Sequence, residues 1–119
     1  MTLILGGAYQ GKLTYAIEQY HLTEEDIFTC TDSGGVDCTK RCIRHLEEYV
    51  LHCVRQGKEP ALELRSDAIV ICRDVSCGVV PMEADLRAWR EATGRLLNRL
   101  TGEADHVVRL FCGLPQVLK

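Results

Sequence analysis

Apolar residues along this chain fall into short unbroken runs, separated by longer stretches in which they return every three or four positions. The runs Thr2–Leu5, Asp26–Cys30, Asp67–Cys72 and His106–Cys112 have the length and the Val, Ile and Leu content of strands buried on both faces. Between them, Leu13, Ala16, Ile17 and Tyr20 mark one amphipathic helix. A second helix is expected from about Thr39 to Arg55, with Cys42, Ile43, Leu46, Tyr49, Val50, Cys53 and Val54 on one stripe and Gly57 as its stop. A third is expected from about Met82 to Leu100, opened by Pro81, closed by Gly102, and turning Leu86, Trp89, Leu96, Leu97 and Leu100 inward. Strands that alternate with helices are joined by crossovers and so pair in parallel. The expected fold is therefore α/β, a three-layer sandwich around a mostly parallel sheet, with residues 1–119 forming a single domain. Ligands of such sheets bind beyond the carboxyl ends of the strands. That rule brings the loop after the first run together with the Thr31–Val36 and Arg73–Pro81 loops.

The first of these loops carries the clearest chemistry. Gly6, Gly7, Ala8, Tyr9, Gln10, Gly11, Lys12, Leu13 and Thr14 follow a strand and open a helix, and they match G-x-x-x-x-G-K-[ST] everywhere except at Leu13. Glycines in this setting let successive amide N–H groups turn toward phosphate oxygens, and the helix adds its positive N-terminal end. Lys12 supplies a point charge to the outer phosphates. The loop is thus of the P-loop nucleotide-binding type, suited to ATP or GTP. The alternative is a glycine-rich strand-to-helix turn with an exposed lysine. Leu13 stands where a hydroxyl would hold magnesium, and Thr14 cannot replace it, because successive helix residues are rotated by about 100°. Magnesium would then depend on carboxylates and water. Asp32 and Asp74, each two residues beyond a predicted strand, are the candidate metal ligands and, with Lys12, the candidate catalytic residues. For Asp32 an ordinary Thr31–Gly35 turn explains the residue equally well. Arg73 either binds a phosphate or pairs with Asp74.

Charge and cysteine usage narrow the classes of function. A net charge of −3, a pI near 5.8 and the lack of any Lys/Arg-rich run argue against nucleic-acid binding. No apolar stretch is long enough for a membrane span, and the N-terminal residues lack a charged region and cleavage site, so a soluble cytoplasmic protein is expected. The seven cysteines include no C-x-x-C pair, which disfavours zinc. Cys30, Cys72 and Cys112, at the ends of predicted strands, are expected to be buried, and Cys77, in a loop, to be the most reactive thiol. Cys38 and Cys42 fit one helix face with His45 nearby, but a metal there needs further ligands. His45 and His52, seven apart, are expected on the same face of the second helix as solvated or capping side chains.

Beyond the loop, residues Asp67–Lys119 carry a second set of motifs. Val75, Gly78, Val79, Val80 and Pro81 match N-E-V-G-x-G-[IV]-V-P; Gly94, Arg95 and Asn98 match a G-R-x-x-N-type helix segment. Ala104, Asp105 and Val107 match an A-D-x-V strand, and Gly113, Leu114 and Lys119 a G-[IL]-P-like end. With the opening GGAYQGK, this resembles the adenosylcobinamide kinase / adenosylcobinamide-phosphate guanylyltransferase family, over about Thr2–Ala16 and Asp67–Lys119. The resemblance implies a nucleotide-binding protein of cobalamin biosynthesis or salvage. It implies ATP or GTP as nucleotide, adenosylcobinamide as corrinoid partner, and a homo-oligomer assembled through helix packing. Arg73-Asp74 stand where the family has Asn-Glu, Ser76 replaces a glycine, and Leu13 replaces a serine. Glu18–Ser66 is expected to lack the family's histidine segment that receives the guanylyl group, so that role is carried onto neither His45 nor His52. A kinase or guanylyltransferase is the first reading. A non-catalytic nucleotide-binding paralogue with a regulatory or scaffolding role is the second, and a P-loop-derived domain without a ligand the third. Arg87 and Arg90 are expected to be solvated on the third helix, and Arg95 to be structural or site-lining.

Overall fold

A computed structural model describes residues 1–8, 10–75 and 83–119. Tyr9, Ser76, Cys77, the Gly78–Pro81 matches and the Pro81–Met82 helix start lie outside the described residues. Strand β1 (Thr2–Gly6) occupies the middle of the sheet, pairing in parallel with β4 (Ile69–Arg73) on one side and β5 (His106–Phe111) on the other. Beyond β4 lie β3 (Cys42–Arg44) and the edge strand β2 (Ile27–Thr29), both parallel, and β5 turns back into the antiparallel strand β6 (Leu114–Val117). The order among the described residues is β2-β3-β4-β1-β5-β6. Helix α1 (Lys12–Tyr20) covers one face; α2 (Leu46–Arg55) and α3 (Ala84–Glu103) cover the other.

The alternation of strand side chains decides which layer each residue joins. Leu3, Ile43, Val70, Cys72 and Val107 point toward α2 and α3, where they meet Leu46, Val50, Cys53, Leu96, Leu97 and Leu100. Their neighbours Ile4, Cys42, Ile69, Ile71 and Val108 point toward Ala16 of α1. The α/β three-layer sandwich with a mostly parallel sheet is therefore the observed architecture.

Three boundaries differ from expectation. The helix expected from Thr39 begins only at Leu46, because Cys42 and Ile43 form β3, one on each face of the sheet. A strand buried on both faces shows consecutive apolar residues, and here that pair fell on the helical stripe by coincidence. Gly102 does not end α3, which continues to Glu103 and closes with Ala104 N–H donating to the Leu100 carbonyl at 2.8 Å. Gly57 does stop α2: at φ 68° it accepts the left-handed turn in which its own N–H bonds Val54 and that of Lys58 bonds Cys53. Finally, Cys112 is a turn residue, not a strand end. Cys112 and Gly113 have φ of 51° and 77°, the signature of a two-residue hairpin, and Cys112 is exposed.

Burial separates the thiols chemically. Desolvation pushes the Cys30 thiol up to about 12 and the Cys42 thiol to about 11, and raises Cys72 well above the ordinary range. In the folded protein at pH 8, iodoacetamide is expected to label Cys112 promptly and to reach Cys30, Cys42 and Cys72 only after denaturation, as site-resolved mass spectrometry would show. Prompt labelling of Cys72 would contradict the packing described.

Candidate phosphate-binding site

The glycine loop leaves β1 at Gly6, whose carbonyl accepts the Asp74 N–H at 2.9 Å, and ends at Gly11, the left-handed residue preceding α1. Gln10 fastens it to the β5–β6 hairpin: its carbonyl accepts the Gly113 N–H at 3.1 Å, and its side-chain oxygen accepts the Cys112 N–H. Lys12, at the first helical position, curls back so that Nζ donates to the Gly7 carbonyl at 2.5 Å. Burial lowers the Lys12 pKa from its ordinary value, and the carboxylate of Glu47 is the largest influence in the opposite direction.

A cavity of about 480 Å³ opens against this loop. Ala8, Gln10, Gly11, Lys12, Leu13 and Thr14 form one wall; Arg44, His45, Glu47 and Glu48 from the β3–α2 corner and Ile71 and Arg73 from β4 form the rest. Its size suits a small-molecule ligand. Three cations, Lys12, Arg44 and Arg73, converge on it. Arg73 is also held over the Trp89 ring, 5.8 Å from its centroid.

Glu47 organises the corner and was not among the residues singled out from the sequence. It is 2 % exposed. Oε1 accepts the Arg73 N–H at 2.8 Å, Oε2 lies 3.0 Å from His45 Nδ1, and its backbone carbonyl accepts the Trp89 indole N–H at 2.7 Å. Glu47 and Glu48 also place negative charge in the first turn of α2, where the helix dipole favours it. In sequence Glu47 reads as an ordinary first-turn acid; a clue to its burial lies in its two apolar neighbours on the α2 stripe, Leu46 and Val50.

The other candidates are placed as follows. Asp74 is half-buried beside Gly6, one residue beyond β4. Asp32 is exposed, with its carboxylate 3.6 Å from Arg55 Nη1. Neither belongs to the lining of the cavity. The Thr31–Val36 loop does not reach the cavity either, because the Asp32 carbonyl lies 3.1 Å from His52 Nδ1 and Gly34 packs on the same ring. His45 and His52 accordingly do not share a helix face: His45 is the left-handed residue ahead of α2 and lines the cavity, whereas His52 supports the loop. Cys38 and Cys42 do not share a helix, since Cys42 is in β3. Arg90 is half-buried rather than solvated, and Arg95 is exposed and lines neither this cavity nor the one at the opposite end of the sheet. Among the described residues no group of three His, Cys, Asp or Glu side chains is gathered for a metal, and no helix is long and apolar enough to cross a membrane.

A family model described as cobinamide kinase / cobinamide phosphate guanyltransferase matches residues 36–118, well over half of the chain. The match takes in the β3–α2 corner, β4, α3 and the hairpin, and so extends into the middle stretch, beyond the residues on which the resemblance was based. The glycine loop lies outside it. No curated protein matches the chain at a significant level.

Proposed function

The chain belongs to the cobinamide kinase / cobinamide phosphate guanyltransferase family, and from that premise we propose that its 480 Å³ cavity binds ATP or GTP and serves phosphoryl or nucleotidyl transfer to adenosylcobinamide. The observation that carries this reading is the convergence of the glycine loop and Lys12 with Arg44 and Arg73 at the carboxyl ends of β1, β3 and β4. Backbone N–H groups of the glycine loop cradle the phosphates. Lys12 leaves the Gly7 carbonyl for the outer phosphates, and the two arginines neutralise charge that develops on the transferring group. Asp74, whose N–H bonds the Gly6 carbonyl, is the metal candidate beside the loop and suits a hard cation held largely through water. Magnesium there would neutralise phosphate charge. Asp32, already beside Arg55, is the more distant candidate. The protein works as a single cytoplasmic domain and as a homo-oligomer.

Leu13 favours a second reading, nucleotide binding without transfer, because it lines the cavity with no hydroxyl for the metal. Two measurements separate the readings. Thermal melts with ATP and with GTP report binding, since a ligand specific to the folded state raises its apparent stability. Transfer of label from γ-labelled ATP to adenosylcobinamide, or acid-stable retention of α-labelled GTP by the chain, reports chemistry. Stabilisation without either transfer would leave the binding-only reading; no stabilisation by either nucleotide would remove both.

A further inference from the structure

Among the described residues, Glu47 is the only carboxylate in the buried set, and its hydrogen bonds constrain its neighbours unusually tightly. The Arg73 backbone N–H can only donate, so it fixes Oε1 as an acceptor at 2.8 Å. Oε2 faces His45 Nδ1 at 3.0 Å, and His45 Nε2 faces Arg44 Nη2 at 2.9 Å. A guanidinium can only donate, so Nε2 must present its lone pair; a carboxylate can only accept, so Nδ1 must carry the proton. Both requirements select the same neutral tautomer. An imidazolium would set N–H against N–H at Arg44.

We infer that Glu47 is a positioning residue: it holds His45 as the Nδ1-protonated tautomer, so that an Nε2 lone pair faces the phosphate cavity, capped by Arg44 until a nucleotide phosphate draws the guanidinium away. The uncapping rests on the reading of the cavity as a nucleotide site; the tautomer does not. Once uncapped, Nε2 accepts the proton of the hydroxyl that attacks the phosphoryl group. The O–H bond breaks as Nε2–H forms, the phosphoryl group passes to that oxygen, nucleoside diphosphate leaves, and Glu47 offsets the imidazolium charge. His45 is suited to this because it sits at a bend, left-handed at φ 55°, with its ring tethered at both nitrogens.

The test is long-range ¹H–¹⁵N correlation of the histidine rings in the full chain at pH 8, with His45 assigned by comparison with His45→Gln. The wild-type protein is expected to show the proton on His45 Nδ1. In the double variant Glu47→Gln/Arg44→Ala, which also frees Nε2 from the guanidinium, the Arg73 N–H retains the carboxamide oxygen, which turns the NH₂ toward Nδ1 and moves the ring proton to Nε2. A wild-type ring protonated at Nε2, or a double-variant ring still protonated at Nδ1, would overturn the assignment; should the double variant not fold, the wild-type spectrum alone decides. Addition of ATP or GTP at concentrations that stabilise the protein is expected to shift the Nε2 resonance as Arg44 leaves. Binding without that shift would overturn the uncapping. If neither nucleotide binds, the nucleotide reading and the uncapping fail together, while the tautomer stands or falls on the ligand-free spectrum.

Discussion

Gly6→Ala is expected to destabilise the protein by on the order of 3 kcal/mol, with a fall in Tm of roughly 10 °C or more. A Cβ at Gly6 would lie 2.7 Å from the Leu110 carbonyl oxygen. That oxygen belongs to the backbone of β5, so no flexible side chain can swing aside. Movement of β1 in the other direction is resisted by β4, which pairs Arg73 with Gly6 and bonds Asp74 N–H to the Gly6 carbonyl. Gly94→Ala supplies the contrast. Gly94 lies within α3 with open space where a Cβ would go, so alanine there should stabilise by about 0.5–1 kcal/mol through helix propensity. Urea denaturation of both variants measures the difference, and a Gly6→Ala loss below about 1 kcal/mol would mean that the β1–β5 approach is looser than described.

The second large effect concerns binding. Lys12→Ala is expected to weaken ATP or GTP about a hundredfold, the loss of about 2.7 kcal/mol that follows from removing a charge-assisted contact to the phosphates. Without ligand the variant should melt close to wild type. Lys12 occupies the first turn of α1, among the described residues its amine bonds only the Gly7 carbonyl, and alanine is a better helix former. Thermal melts across a nucleotide titration distinguish the two quantities. Full nucleotide stabilisation in Lys12→Ala would place the phosphates elsewhere.

The parts of this molecule most legible in the sequence are those whose pattern has one structural solution. Four apolar runs, each too short for a helix, led to β1, β2, β4 and β5, and the glycine loop fell between the first strand and helix. Cys42-Ile43 was ambiguous because two adjacent apolar residues satisfy both a helical stripe and a strand buried on both faces; pairing with β2 and β4 resolves it in favour of the strand. That single displacement carried the site with it. With β3 ending at Arg44, the chain bends at His45 and delivers Arg44, His45 and Glu47 to the cavity, whereas a continuous helix would have put His45 and His52 together. Glu47 was illegible for another reason: its burial depends on a backbone N–H of β4 and the Trp89 indole, partners 26 and 42 residues away.

The fastening of Gln10 to Cys112 and Gly113 bears on when the site comes into being during folding. Gln10 and Cys112 are 102 residues apart in the chain, and β1 itself waits between strands that are distant from it in sequence. Closing such separations is slow compared with forming a local helix or hairpin. On the ribosome, the glycine loop emerges early and stays without its brace until the β5–β6 hairpin has followed it. Nucleotide therefore cannot template folding before that brace forms; it can reward only a chain that has already brought the glycine loop and the hairpin together.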